Sequence, residues 1–551
     1  MRALALSFAL LLTAHPAPAQ SSAPAAATYR IAGTVVAEGS GQPLQRATVH
    51  ILQSGNFKPV QETTSDEYGH FAFTEVPAGK FILNGSAPGY LVTDYDAHDT
   101  FTTGIVTGAG LDTESLVLKL KPLGTLTGTI LDESGEPVER ANVRLFRQSH
   151  SFGDSRIVAA NAGTTNDLGH FEISRLAPGN YLLAVTATPW YAVHPPPPQQ
   201  RQNQGMGFGF ADSVDPSLDV AYPTTYYPGT TDSNEATPIL IRGGPADISL
   251  RLAAQPALSI SFPFTPPQNG QGYTMPQLRT SVFGQIEPVG AVQYQQSNNQ
   301  MMVTGLAPGD YYLSPANQPI NQMVSQTEEG LTPLHLTDRN TNATLPAPAD
   351  VAHVHLLLKT SDGSAVPTII VGFMRRHNLD FATRANSLKG EAKFDVAPGD
   401  YYVSLCGAQR HCFVRQVLAG DRPLPNNDIH IASGGDLTFT VVFDIGTHTV
   451  KGVVQKDGKP APGAFLLLFP ANESKEIRSF VRDQSDLDGS FEFTGLAPGA
   501  YTVLSIDNGW DLDWQKEAVL ARYLPSAVTF RVTEDPANTQ VVPTPVPLQP
   551  R

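Results

Sequence analysis

Asp486-Leu-Asp-Gly489-Ser-Phe491-Glu-Phe493-Thr-Gly-Leu496-Ala-Pro498-Gly499-Ala-Tyr501-Thr-Val503 is the stretch whose reading decides the fold. A turn signal ends at Gly489, and Phe491 and Phe493 then alternate with polar neighbours, as a half-buried strand requires. Ala-Pro-Gly reads as a second turn, in which Pro498 presets φ and Gly499 supplies the positive φ of a type II turn. Tyr501 and Val503 resume the alternation. The stretch thus predicts turn, strand, turn, strand: a β-hairpin with one buried face. On this reading Gly499→Ala is strained. Gly79, at the fourth turn position of Val76-Pro77-Ala78-Gly79, tolerates Ala better.

The phrase recurs at Asp66 to Gly69 with Phe71, Phe73, Val76, Pro77, Gly79 and Phe81, and at Asn166 to Gly169 with Phe171, Ile173, Leu176, Pro178, Gly179 and Tyr181. Two copies keep only the second half: Leu306-Ala-Pro308-Gly309-Asp-Tyr311 and Val396-Ala-Pro398-Gly399-Asp-Tyr401. Successive turn glycines (79, 179, 309, 399, 499) are 100, 130, 90 and 100 residues apart. That is the period of a whole domain, too long for a solenoid. A string of five units is expected.

Met1 to Ala19 has the layout of a secretory signal: Arg2, an apolar run from Ala3 to Ala14, and a small-residue cleavage site at Ala17-Pro-Ala19. No later apolar run has the roughly 18 residues of a membrane span. An exported mature chain, periplasmic, outer-surface or extracellular, is therefore expected. The 46 prolines and 47 glycines are spread as many turns require, and 41% apolar residues suffice for several cores. A net charge of −15 without a basic run argues against nucleic acid or an anionic membrane as partner. The only two cysteines, Cys406 and Cys412, read as a disulfide across a hairpin in an oxidising compartment.

Around each phrase stand further strands. Ile31 to Val36 and Ala47 to Ile51 open the first unit, Leu126 to Leu131 and Ala141 to Leu145 the second, and Val450 to Val454 and Ala464 to Leu468 the fifth. Alternating strands such as Leu116 to Leu120 and Ile248 to Leu252 close the first two. Short strands with Gly/Pro turns indicate β-sandwiches, not parallel α/β. The expected units are 28–122, 123–255 with an insertion at 188–247, 256–347, 348–445 and 446–548. The Gln/Gly part of the insertion reads as mobile and its aromatic ends as packed. Asp511 to Leu524 is the best helix candidate, and the Pro-rich tail from Pro536 reads as extended. In the fourth copy Ala392 and Phe394 stand one residue closer to the turn, which implies a bulge or a tighter turn there.

Gly-Thr-Ile-Leu, Gly-Glu-Pro-Val, Ala-Asn-Val, Asp-Leu-Gly-His-Phe and Leu-Ala-Pro-Gly-Asn-Tyr, between Gly128 and Tyr181, resemble the carboxypeptidase regulatory-like domain. The resemblance is specific in units 1, 2 and 5 and partial in 3 and 4. It implies an all-β chain: a tandem array of about five prealbumin/transthyretin-like Greek-key sandwiches, related to carbohydrate-binding-like modules, in a multidomain exported bacterial protein. The family name records a module beside a peptidase and implies no peptidase activity.

Reactive constellations are sparse. No histidine has Glu three positions on, as a zinc carboxypeptidase requires, and there is no Gly-x-Ser-x-Gly elbow. His353 and His355 share a strand face without an evident third ligand. His70 and His170 occupy equivalent turn positions and read as structural. Asp483-Gln-Ser-Asp486-Leu-Asp488-Gly489 is better read as an Asx turn than as a calcium loop. Gly205-Met-Gly207-Phe-Gly209 precedes no helix and is no phosphate loop. Lys451 as a Lys–Asn cross-link donor, as in surface-protein B-type repeats, lacks its acid, since Gly495 stands before Leu496.

No catalytic site, metal or cofactor is therefore assigned. Two function classes remain: a structural or adhesive envelope protein whose sandwiches act as spacers, and a carbohydrate-binding protein. Trp190, Tyr191, Tyr226, Tyr227, Trp510 and Trp514 are the candidates for stacking on a polysaccharide, against the plainer role of packing loops. A cell-surface protein is the other candidate partner. A regulatory subunit of a peptidase ranks behind both.

Overall fold

The computed structural model describes residues 27–108, 110–150, 153–194, 215–264, 276–290, 292–297, 299–314, 331–337, 341–344, 351–376, 381–405, 412–446, 448–471, 480–534 and 539–551. Strands dominate, and they form pairs of sheets in tandem. In the first sandwich one sheet runs His70–Pro77, Thr28–Ala37, Leu116–Leu120, and the other runs Pro59–Thr64, Thr48–Gln53, Gly79–Ser86, Thr93–Asp94, with Ile105–Thr107 also on Gly79–Ser86. The second repeats this plan. The expected closing strands run parallel to the opening ones: Leu116–Leu120 along Thr28–Ala37, and Gly244–Arg251 along Gly124–Leu131. Five clusters of buried residues fill the spaces between paired sheets, centred on Ile31 and Phe73, Leu126 and Phe171, Ile260 and Val303, Phe373 and Tyr401, and Phe491 and Tyr501.

The repeated phrase is not a hairpin. His70–Pro77 pairs with Thr28–Ala37, while Gly79–Ser86 pairs with Thr48–Gln53 in the opposite sheet. The same division of partners holds for all the other copies, although in the fifth the strand Val546–Gln549 joins the two sides into one nine-stranded sheet. The turn is an arch that carries the chain from one sheet to the other. Both strands of the phrase send apolar residues inward, and the arch lets those residues face each other across the core. A proline in the arch has no N–H to give a ladder, which suits a segment that leaves its sheet. The tyrosine of Ala-Pro-Gly-x-Tyr fastens it: the hydroxyls of Tyr181, Tyr311, Tyr401 and Tyr501 donate to the carbonyls of Ala177, Ala307, Ala397 and Ala497 at 2.9, 2.7, 2.8 and 2.9 Å. Phe81 stands there in the first copy and fills the core without that bond.

The positive φ expected at Gly499 lies elsewhere. Gly79 and Gly499 are both outside the positive-φ region, whereas the equivalent Gly179, Gly309 and Gly399 stand at 153°, 151° and 153°; the residues near +60° to +80° are Glu75 (57°), Arg175 (60°), Gly305 (80°) and Gly495 (73°). Each sits at or beside a shift of register against the opening strand, which marks a β-bulge just before the arch. The fourth copy alone pairs without a shift, Ala352 to Leu357 against Val396 to Glu391. Its shorter spacing therefore reflects the absence of the bulge that the other copies carry, and is neither a bulge nor a tighter turn.

A second repeated device was invisible as a motif. Ser65, Thr165 and Ser485 each donate to a carbonyl of the loop that follows the opening strand (Leu44, Val138, Ala461) and accept from an amide in it (Ala47, Ala141, Ala464). A buried hydroxyl thereby satisfies two backbone groups of a loop that enters the core.

Asp511 to Leu524 is not one helix. It holds a 3-10 turn at Gly509–Asp511, a single α-turn at Glu517–Leu520 and a 3-10 turn at Leu524–Ser526. Lys516 at the N-cap makes no side-chain cap bond, and Pro525 stops continuation. The tail is extended as expected but belongs to the fifth sandwich: Val546–Gln549 runs parallel to both His448–Lys456 and Gly499–Ile506.

Candidate functional site

The described ends of the insertion in the second sandwich fold onto the turn that follows its opening strand. After Gly179–Thr186 the chain makes a turn closed by the Ala192 amide on the Pro189 carbonyl, 3.0 Å. This holds Trp190 out of the fold with 83% of its surface exposed. Tyr191 meets the Trp190 ring edge-on, centroids 5.8 Å apart at 89°, and turns its hydroxyl to the Glu133 carboxylate. Further along, Tyr222, buried beside the short strand Val220–Ala221, donates to the other Glu133 oxygen at 3.4 Å. Glu133 itself is exposed, beside Asp132, whose carboxylate accepts the amides of Ser134 and Glu136 at 2.8 Å each. Burial, then Glu133, pushes the Tyr191 phenol up to about 12, and the same two causes raise that of Tyr222. Both phenols therefore remain donors to Glu133 across the physiological range.

The other proposed stacking residues are elsewhere. Tyr226 is a core residue, 4% exposed, packed edge-on to Phe283 with centroids 4.8 Å apart. Tyr227 is half-buried against the second core. Trp514, 3% exposed, packs on Phe480 at 4.8 Å. Trp510 lies flat on His98, centroids 5.1 Å apart at 3°, and edge-on to Phe465. Tyr226 and Trp514 thus have no free face, and Trp510 has given one to a neighbouring sandwich. Only Trp190 and Tyr191 of the six form a surface.

That His98–Trp510 contact belongs to a joint between the first and fifth sandwiches, so the chain is not an open string. Asp486 accepts from the Gly104 amide at 3.1 Å and pairs with Lys80 at 2.5 Å; the Leu487 amide returns a bond to the Gly104 carbonyl at 2.9 Å. Gln484, 2% exposed, donates to the Asp96 carbonyl at 2.7 Å and the Thr103 hydroxyl at 2.8 Å, and its oxygen lies 3.2 Å from His98 Nδ1. Arg482 reaches Asp99 at 3.2 Å and lies over the Phe101 ring. Burial raises the Asp486 carboxyl, with Lys80 opposing, and burial pushes Asp483 up to about 6. The acidic loop is thus an Asx turn used for docking. A second joint links sandwiches two and three: Arg144 pairs with Glu287, and Phe283 packs on Phe146.

Among the described residues no group of three His, Cys, Asp or Glu is arranged to hold a metal ion. His353 and His355 each face a carboxylate across the strand pair, Asp395 at 2.6 Å and Glu391 at 3.0 Å. His170 Nδ1 lies 3.1 Å from the Thr129 hydroxyl, and His70 lies 3.3 Å from Asp66. Lys451 pairs with Glu492 at 3.1 Å. Cys412 begins the strand Cys412–Ala419; Cys406 and the Gly205 to Gly209 run lie outside the described residues, as does Met1 to Ala19. No helix among the described residues is long and apolar enough to cross a membrane.

Residues 30–110 and 125–195 match the model of the carboxypeptidase regulatory-like domain. Among solved structures the chain is similar to the Bacillus anthracis TIE protein, at 10% identity over 78% of this chain and 76% of that one, TM-score 0.17. A Streptococcal ancillary pilin shares 14% identity over 54% and 100% of the two chains, TM-score 0.19. GBS52, the minor pilin of Streptococcus agalactiae, shares 13% over 44% and 100%, TM-score 0.20. A comparison with curated proteins finds no match.

Proposed function

We propose that this chain, whose first two sandwiches are carboxypeptidase regulatory-like domains, is an exported, non-catalytic structural or adhesive protein of the cell envelope or extracellular space. One observation carries the reading: polar side chains that could serve chemistry are engaged in joints between sandwiches. Asp486, Lys80, Gln484, Arg482, Arg144 and Glu287 all bridge units. Such joints fix the first unit against the fifth and the second against the third, so the chain folds back on itself rather than forming an open stalk of five units. The units are taken to end near residues 122, 255, 347, 445 and 548, and Met1 to Ala19 to direct export.

Purified mature protein, tested on chromogenic peptide, ester and glycan substrates, should release no product, and X-ray scattering should give one compact particle. A turnover that co-purifies with the chain and is abolished by a point substitution would overturn the reading. A second reading, polysaccharide binding, is favoured by the exposure of Trp190, since a large indole left out of the fold costs apolar hydration that a stacked sugar ring relieves.

A further inference from the structure

The geometry points to a binding site for a cationic amino sugar, a glucosamine-type polymer, formed by Trp190 and the Glu133 carboxylate. This rests on the carbohydrate reading of Trp190 and names the sugar class.

Glu133 is exposed, and an exposed carboxylate is satisfied by water without help. Here two phenols hold it, one on each oxygen. Both are brought by the insertion, and Tyr222 is itself buried. The turn of the first sandwich that follows its opening strand (Glu38 to Gln42) has no such phenols, nor has that of the fifth (Lys456 to Lys459). Glu133 stays exposed with both phenols in place, and each oxygen has a second lone pair to offer, so the group is a pre-aimed acceptor rather than a buried structural acid. Among the described residues no lysine or arginine pairs with it, which leaves its charge for a ligand. Asp132 on the same turn adds to the negative field.

The aromatic component selects the shape of the cation. A quaternary ammonium or methyl-lysine cage needs several ring faces converging on one point. Trp190, 83% exposed, offers an open indole face with only Tyr191 as a ring neighbour among the described residues. A single face suits the flat C–H side of a pyranose ring, and an ammonium substituent on that ring or the next then reaches Glu133. A neutral sugar would use the indole and leave the carboxylate unpaired.

Trp190 is the one strongly exposed tryptophan of three, so intrinsic fluorescence reports on this site. The full mature chain is titrated with glucosamine hexamer, N-acetylglucosamine hexamer and cellohexaose at pH 6, where the free amine is charged. The glucosamine hexamer should bind about tenfold more tightly than the other two, the effect of one charge-assisted hydrogen bond. Glu133→Gln should remove that preference without moving the melting temperature, and Trp190→Ala, followed by isothermal titration calorimetry because the substitution removes the fluorophore, should remove binding of all three. Equal binding of the three hexamers overturns the amino-sugar assignment and leaves the carbohydrate reading standing. No response to any hexamer overturns both.

Discussion

Three alanine substitutions in one phrase separate the arch from the hairpin it resembles in sequence. Gly489 has φ +74°, where an L-residue costs about 1–2 kcal/mol, offset by about 0.4–1 kcal/mol of lost freedom in the unfolded chain. A Cβ there would also stand 2.6 Å from the Val454 carbonyl oxygen and 3.1 Å from the Ala461 amide. That carbonyl accepts from Ala461 at 3.0 Å, and the Gly489 carbonyl accepts from Val454 at 2.7 Å. Moving the turn to make room weakens both bonds, each worth about 1 kcal/mol. Gly489→Ala should therefore cost about 2–3 kcal/mol.

Gly495, at φ +73° in the bulge, carries at least the conformational part, about 0.5–1 kcal/mol. Gly499 has no such strain, and its Cβ would meet only Tyr501 Cε2 at an ordinary 3.7 Å. Gly499→Ala should stay within about 0.5 kcal/mol of wild type. Urea unfolding of the full chain in a Trp190→Phe background reads this cleanly, because Trp510 and Trp514 both lie in the fifth sandwich. A Gly499→Ala loss equal to that of Gly489→Ala would refute the arch and restore the type II turn.

Lys80→Met should leave every sandwich folded but speed hydrogen exchange at the Gly104 and Leu487 amides; unchanged exchange would mean that the Asp486 pair does not hold the joint. The Asp395 carboxylate raises the His353 pKa above its ordinary 6.5. Its stabilisation of the fourth sandwich is therefore full below pH 6.5 and lost as pH rises through the raised value. The melting gap between wild type and Asp395→Asn should accordingly be wider at pH 6 than at pH 9, and a gap independent of pH would sink the assignment. Peptide mapping of oxidised, exported protein should find Cys406 linked to Cys412, a bond worth about 2 kcal/mol for so short a loop; two free thiols would contradict it. Trp190→Ala should leave the melting temperature within a degree or so of wild type, since its ring is mostly in solvent; a large drop would make it a core residue.

The all-β tandem plan was legible because alternation and turn chemistry are local, and Phe71, Phe171 and Phe491 each fall inside their own core. Which strand pairs with which is not local. Two strands joined by Ala-Pro-Gly satisfy the same alternation as a hairpin in one sheet or as an arch between two, and only the partner strands decide. Aromatic candidates failed for a similar reason. Trp190 and Trp514 are the same residue type beside the same kinds of turn, yet one is 83% exposed and the other 3%. Glu133 was overlooked because its significance comes from Tyr191 and Tyr222, which stand 58 and 89 residues away.

The joint between the first and fifth sandwiches did leave one trace. At the tip of the repeated turn Glu67 and Asp167 face solvent, whereas the fifth copy has Leu487, which packs against the first core. The Asx residue before it changes partners in step. Asp66 accepts from Tyr68 and His70, and Asn166 from Leu168 and His170, each closing its own turn. Asp486 gives one oxygen to Gly104 and the other to Lys80 and Ser490. One turn design thus serves as a solvent-facing cap in two sandwiches and as a docking plug in a third. The consequence bears on function. A spacer separates what is attached to its ends, and here the first and last units touch. The reach of the chain is therefore shorter than that of five units end to end, and what it offers to the outside is its loops, Trp190 foremost.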